Sequence, residues 1–224
     1  MEIRRVQYSI DYIHIITFRE EYKQVILPYF GFDGLRYGID NENTINESIR
    51  LVFPTENMVI SVRKDGMTLF YDGSQKDLLN QNGVVKIFWD IYEKIKTLQG
   101  YKKTSKHTLI CHAVRLTGKD EIDKSLNKNE YFTINPFGKL DEFECTYEFK
   151  KDIREYKFQF GNYSDKDIKK HELRFLGSEF NKDLVDGVGF MSRVEIIENI
   201  ATPNFSKFKS LVSNTEHIIS SYKL

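Results

Sequence analysis

A period of two recurs along this chain, and it limits the fold more than any other feature. Val6, Tyr8, Ile10 and Tyr12 alternate with Gln7, Ser9 and Asp11. Met58, Ile60 and Val62 share one face, with Ser61 and Arg63 on the other. Phe143, Cys145, Tyr147 and Phe149 alternate with Glu142, Glu144, Thr146 and Glu148, and Tyr156, Phe158 and Phe160 with Lys157 and Gln159. Val188, Phe190, Ser192, Val194 and Ile196 form a longer run. Successive side chains of a strand point to opposite faces, so each run predicts a strand with one buried face. The aromatics, 17 Phe and 13 Tyr, suit a pleated surface and support a large sheet.

Punctuation sets the connections. His14, Ile16 and Phe18 would continue the face of the first strand, and residues 19–30 suit a short helix that stops near Pro28. Residues 31–48, rich in Gly, Asn and Asp, read as a loop. Asp65-Gly66 predicts a type I′ hairpin turn, with Met67 to Tyr71 as the returning strand. Residues 84–98 predict an amphipathic helix, with Val84, Phe88, Ile91, Ile95 and Leu98 in one stripe, ended by Gly100. Thr108 to Leu116 is a strand. Lys150 to Arg154 makes a longer hairpin loop, with outward Glu side chains facing Lys157 across it. Leu173 to Leu176 reads as a short strand. A second amphipathic helix follows Pro203, carrying Phe205, Phe208, Leu211, Val212, Thr215, Ile218, Ile219 and Tyr222.

Each half therefore places strands ahead of one long helix. The expected fold is α+β: a curved, largely antiparallel sheet with two long helices on one face. A chain of 224 residues fits a single domain, 1–224, pseudo-duplicated as 1–118 and 130–224.

Composition narrows the function classes. Lys and Arg number 33 and Asp and Glu 33, and this balance counts against a general phosphate grip. Cys111 and Cys145 are too few for a disulfide framework and read as small buried thiols. Met1 to Arg5 leads into an alternating segment, not an apolar leader, and no run approaches the roughly 20 residues of a membrane span. The expectation is a cytoplasmic protein without a membrane partner. Abundant Lys, Asn and Ile point to an AT-rich bacterial or phage genome.

No motif carries chemistry. His107 and His112 are five apart on a strand and point to opposite faces, and His217 has no second His one turn away, so no metal site is expected. His14 and His112 are placed in the sheet and the other histidines at the surface. A G-x-S-x-G, a P-loop and a G-x-G-x-x-G are all missing. Gly187-Val188-Gly189 precedes a strand and reads as a turn. Glu142, Glu144 and Glu148 share a face, as a solvated strand face does. Lys102, Lys103 and Lys106, and Lys166, Lys169 and Lys170, read as solubilising loops. No catalytic residue and no cofactor are assigned.

Asn57-Met58-Val59-Ile60-Ser61-Val62-Arg63-Lys64, the helix with Phe88-Trp89, and Thr215-Glu216-His217-Ile218-Ile219 resemble segments of a sporadically distributed, uncharacterised bacterial protein family. That family pairs a basic strand with a long helix and ends on a His-containing C-terminal helix. The resemblance implies a fold and supplies no mechanism.

The expected function is a non-catalytic binding or adaptor protein, in a defence or mobile-element system, whose partner is another protein. Phe30, Phe32 and Tyr37, set among Gly31, Gly34, Gly38 and Asn41, are the candidate binding residues. One alternative is an RNA-binding or RNA-processing protein of two ferredoxin-like halves, similar to the CRISPR repeat-associated RNA endonucleases, with His14 as its candidate residue. Another is a small-molecule carrier using the concave side of the sheet.

Overall fold

The computed structural model describes residues 1–13, 15, 18–31, 33–73, 75–79, 83–122, 144–163, 188–199 and 202–221. Its strands are β1 (Glu2–Tyr12), β2 (Arg36–Asp40), β3 (Ser48–Phe53), β4 (Met58–Arg63), β5 (Gly66–Asp72), β6 (Thr104–Leu116), β7 (Glu144–Lys151), β8 (Arg154–Tyr163) and β9 (Gly189–Asn199). The helices are α1 (Phe18–Ile26), α2 (Gln75–Leu78), α3 (Val84–Lys96) and α4 (Phe205–Ser221), with a 3-10 turn at Leu27–Tyr29.

All nine strands join one open sheet in the order β2-β3-β4-β5-β1-β6-β9-β8-β7, and every pairing is antiparallel. The fold is α+β, with both long helices on one face. Tyr8, wholly buried on β1, shows why: its ring lies 6.0 Å from Phe88 and 5.7 Å from Trp89 of α3, and 4.9 Å from Phe208 of α4. Each such ring pair is worth about 0.5–1.5 kcal/mol beyond the area it buries.

The amphipathic stripes read from sequence are the buried stripes. Phe88, Ile91, Tyr92 and Ile95 of α3 are inaccessible, as are Phe208 and Val212 of α4, and Leu211 and Ile219 nearly so. The strand faces obey the same rule: Val6, Tyr8, Ile10, Ile60, Val62, Leu109, Val194 and Ile196 all lie in the core. Cys111 is buried among them, and that burial pushes its thiol pKa up to about 12.

Several expectations need correction. β1 ends at Tyr12 and Phe18 opens α1, so the first strand does not run on to Phe18; His14 lies outside the described residues. Residues 31–48 are not all loop: β2 lies within them, paired with β3, which alternation alone did not show. β4 and β5 turn at Lys64-Asp65, with Arg63 paired to Gly66. Neither turn residue has a positive φ, so the turn is not type I′. Gly66 is needed for another reason: a Cβ there would come 2.9 Å from both the Ile10 carbonyl oxygen and the Asp11 carboxylate of neighbouring β1. The β7–β8 loop is shorter than expected, only Asp152-Ile153, with Asp152 at φ 55°. Leu173 to Leu176 and Gly187 lie outside the described residues.

The sheet order has a regularity that element succession alone does not reveal. β1 and β6 pair at its centre. β1 is flanked on its other side by β5, the last strand of a meander that leads into α2 and α3; β6 is flanked by β9, the last strand of a meander that leads into α4.

Candidate interaction surface on the outer hairpin

β7 and β8 form a hairpin at one edge of the sheet, held to the rest of it through β9. The pattern in β7 is the alternating apolar pattern of a half-buried strand, but its surroundings differ from those of a core strand. All its side chains are exposed except that of Cys145, which is intermediate. Tyr147 is 53 % and Phe149 48 % exposed, and Ile153 at the turn is 58 % exposed. These values matter because singly exposed apolar side chains are ordinary, whereas adjacent ones on an outer strand mark a surface that can be covered.

Cross-strand pairing organises the rings. Phe149 stands opposite Tyr156, with ring centroids 4.7 Å apart and planes at 6°. Tyr147 stands opposite Phe158 at 6.4 Å and 28°. Phe158 is buried, so Tyr147 extends the core outward while staying about half exposed. The opposite face is polar and internally matched: Lys157 reaches Glu148 at 3.0 Å and Lys150 reaches Glu155 at 2.7 Å. The expected Glu-to-Lys157 pairing is thus present through Glu148. A shallow cleft of about 300 Å³ beside these strands is lined by Phe149, Tyr156, Ile197 and these ion-pair residues.

The turn end of the hairpin is tied down by a buried charge cluster. Arg154, the first residue of β8, donates from Nε to Glu198 Oε2 of β9 at 2.9 Å. Lys207 of α4 donates to Glu198 Oε1 at 3.5 Å. Nε2 of His107 on β6 lies 3.5 Å from the same Oε1, and its Nδ1 meets the Tyr8 hydroxyl at 2.8 Å. His107 and Glu198 are buried, and Tyr8 wholly so. Burial alone would raise the Glu198 carboxyl pKa; the Arg154 hydrogen bond and the charges of Arg154 and Lys207 outweigh it and hold it below the usual carboxylate value. Burial pulls the His107 pKa down against the pull of Glu198, so the imidazole is neutral at pH 7. Burial pushes the Tyr8 hydroxyl well up, keeping it a hydrogen-bond donor. A neutral ring accepting from Tyr8 at Nδ1 presents Nε2–H to Glu198. Such a chain resembles catalytic relays, but acid–base work requires that a substrate reach the group. Tyr8, His107 and Glu198 are all buried. The arrangement is a clamp that joins β1, β6, β9, β8 and α4.

The placement of His107 corrects the expectation that it sits at the surface. A signal was available in the sequence: His107 keeps the parity of buried Leu109 and Cys111, and Glu198 that of buried Val194 and Ile196. A polar residue in an apolar register marks a buried polar group that must find partners. His112 has the opposite parity, so the two do not converge. Among the described residues no group of three or more His, Cys, Asp or Glu is placed to hold a metal ion.

The candidate binding residues in the first half divide. Phe30 stacks on Tyr37 at 4.2 Å and 10°, and it is partly buried against the core. Tyr37, on edge strand β2, is 60 % exposed. Phe32 lies outside the described residues.

Comparison with known proteins adds little. No family model matches the chain. No curated protein sequence matches it either. Among solved structures it is similar to the rolling circle replication initiator protein from Geobacillus stearothermophilus, at 10 % identity over 88 % of this chain and 73 % of that one, with a TM-score of 0.23. A score that low does not define a shared architecture. No helix among the described residues is long and apolar enough to cross a membrane.

Proposed function

We propose that this chain is a non-catalytic binding protein that engages another protein through the β7–β8 hairpin. One observation carries the reading: an alternating aromatic strand, of the kind that elsewhere in this sheet is buried, is about half exposed at Tyr147 and Phe149. Aromatic side chains are enriched in protein interfaces, where they give large contact area at low entropic cost. The hairpin's cations argue for protein over nucleic acid. Lys150 and Lys157 are matched by Glu155 and Glu148, and Arg154 is held by Glu198, so three of the hairpin's four cations already face a carboxylate and only Lys151 adds to a phosphate grip. The Phe30–Tyr37 pair at the opposite edge is a smaller second contact of the same kind.

The test is a Tyr147→Ala/Phe149→Ala double variant, purified from native cells beside the wild type. Loss of co-purifying proteins with an unchanged melting temperature is the expected result. Unchanged partners, or melting lowered as far as by a core truncation, would overturn the proposal.

We also infer that the chain is two copies of one unit, each running from an opening strand through a meander to a long helix. The order of the sheet supports it and moves the boundary from residue 118 to the segment between Lys96 and Thr104, because β6 holds the place in the second half that β1 holds in the first.

A further inference from the structure

Both long helices cover the face of the sheet that Tyr8 and Ile10 occupy, and the residues that alternate with these two look the other way. The pairing registers gather such residues into rows. Ser61, Thr68, Ser9 and Thr108 stand side by side across β4, β5, β1 and β6, all half-buried, with the Ser9 and Thr68 hydroxyls 3.1 Å apart. The next row toward the end of the sheet reads Arg63, Gly66, Asp11 and Lys106. Gly66 leaves room in it. Arg63 Nη2 reaches across to within 3.9 Å of Asp11 Oδ1, where a Cβ on Gly66 would stand 2.9 Å from the same oxygen. Lys106 Nζ lies 3.5 Å from Asp11 Oδ2, so one carboxylate sits between two cations.

Beyond this row the chain adds cations and fixes their backbone. Ile13 N donates to the Lys103 carbonyl at 3.1 Å and Ile15 N to the Lys64 carbonyl at 2.9 Å. Lys103 and Lys64 therefore flank the exit of β1 on its two sides, two strand spacings or about 10 Å apart. The Tyr12 hydroxyl donates to the Arg63 carbonyl at 2.7 Å, and Thr104 Oγ1 meets the hydroxyls of Tyr92 at 2.6 Å and Tyr101 at 2.9 Å. Lys102 and Lys103 are exposed and Lys64 is half-buried; none of the three has an ion-pair partner among the described residues. The charge of the chain balances as a whole, but at this end of the sheet the cations outnumber Asp11 and Asp65.

Lysine, arginine and a row of small hydroxyls are the groups that hold phosphates. With both long helices on the other face, no described element projects here to enter the groove of a duplex, whereas a flexible strand can lie along the rows. A membrane surface would need apolar side chains to insert, and these rows offer hydroxyls. Past β6 the same face carries Glu155 and Glu195, which bound the site.

We propose that this helix-free face, from β4 to β6, holds the phosphodiester backbone of a single-stranded nucleic acid. The site is separate from the β7–β8 hairpin and does not depend on the role of that hairpin.

The test is fluorescence anisotropy of the full chain with labelled oligothymidylate and oligouridylate of about 20 nucleotides, titrated at several salt concentrations. Both should bind, with affinity falling as salt rises. Lys64→Gln/Lys103→Gln should weaken binding roughly tenfold at about 0.1 M salt and make the logarithmic salt dependence shallower by about 1.4, the share of two single-strand phosphate contacts. Lys86→Gln/Lys119→Gln, the same charge change away from this face, should leave both unchanged. Asp11→Asn should tighten binding several-fold by releasing Arg63 and Lys106, and Asp120→Asn should not. Binding of one oligonucleotide alone would support the site and name its sugar. No binding at low salt, equal losses in the two lysine pairs, tighter binding of an oligothymidylate–oligoadenylate duplex, or capture of phosphatidylserine vesicles in place of the oligonucleotides would overturn the proposal.

Discussion

On either side of the β1–β6 seam the strands are laid out alike and finished differently. Counting outward, β3 in the first half and β7 in the second each lie fourth from the seam, and both carry apolar residues at every second position. In β3, Ile49, Leu51 and Phe53 are buried. The strand is flanked by β2, and α1 with its 3-10 turn brings Tyr22, Val25, Ile26 and Tyr29 into the same core. In β7, Tyr147 and Phe149 are about half exposed. A period of two therefore encodes which side chains share a face, not whether that face is covered. Coverage belongs to whatever packs above, and it differs between the two strands.

The comparison can be broken most easily at its buried end. Leu51→Ala should cost about 2–5 kcal/mol, the range for truncating a fully buried aliphatic side chain, read as a fall in urea midpoint without a change in slope. If Leu51→Ala were as mild as Tyr147→Ala, the two edges would be equally loose and the contrast would vanish.

Next in size is the clamp at the foot of the hairpin. Glu198→Gln keeps the shape but removes the charge that Arg154 and Lys207 share. Arg154 and Lys207 can turn to water, so the loss should be roughly 1–3 kcal/mol, the scale of an unsatisfied buried partner, not of a stranded charge. Faster hydrogen exchange at the turn end of β7–β8 than in β3–β4 would show that the carboxylate secures the second half in particular.

The pH dependence follows from the same groups. The folded-state pKa of His107 is lowered below its ordinary 6.5, so between those two values the unfolded chain binds the proton more readily. Stability is fully present above pH 6.5 and declines as pH falls from there toward the folded value. Glu198, whose folded pKa is also lowered, contributes stability above its unfolded value of about 4.5 that is lost at lower pH still. Tyr8, Glu198, Arg154 and Lys207 all face the ring; between pH 8 and 5.5 the Tyr8 hydroxyl and the Arg154 guanidinium, both raised, keep their protons, and the Glu198 carboxyl, lowered, keeps its charge. His107→Gln should flatten the urea midpoint over that range relative to wild type; an unchanged slope would assign the dependence elsewhere.

The smallest effect should be at the exposed end. Tyr147→Ala/Phe149→Ala should alter stability by about 0.2–1 kcal/mol per site, the scale of an exposed cross-strand ring pair.

The legible part of the fold was whatever one segment states alone. Tyr8, Phe88 and Phe208 fall in their stripes by periodicity, and all three are core residues. β2 was not legible because Arg36-Tyr-Gly-Ile-Asp40 has little strand character of its own; β3 supplies its pairing. The clamp was not legible either, since His107 and Glu198 are distant in sequence and meet only because β6 and β9 pair. The candidate surface was half legible: the alternation of Tyr147 and Phe149 was plain, and their exposure was not.

The seam has a consequence for how the chain is made. β1 lies in the middle of the sheet, yet Ile3 must wait for Ala113 to find its partner across it. During synthesis β5 can dock on β1 first and α3 can close over Tyr8, leaving a half-sheet whose open border is its hydrophobic centre. Pairing between such distant segments is intrinsically slow and leaves strand edges open to aggregation meanwhile. The period between the emergence of α3 and of β6 is then when the nascent chain is most vulnerable, and a ribosome stalled there would hold a sticky edge in need of a chaperone.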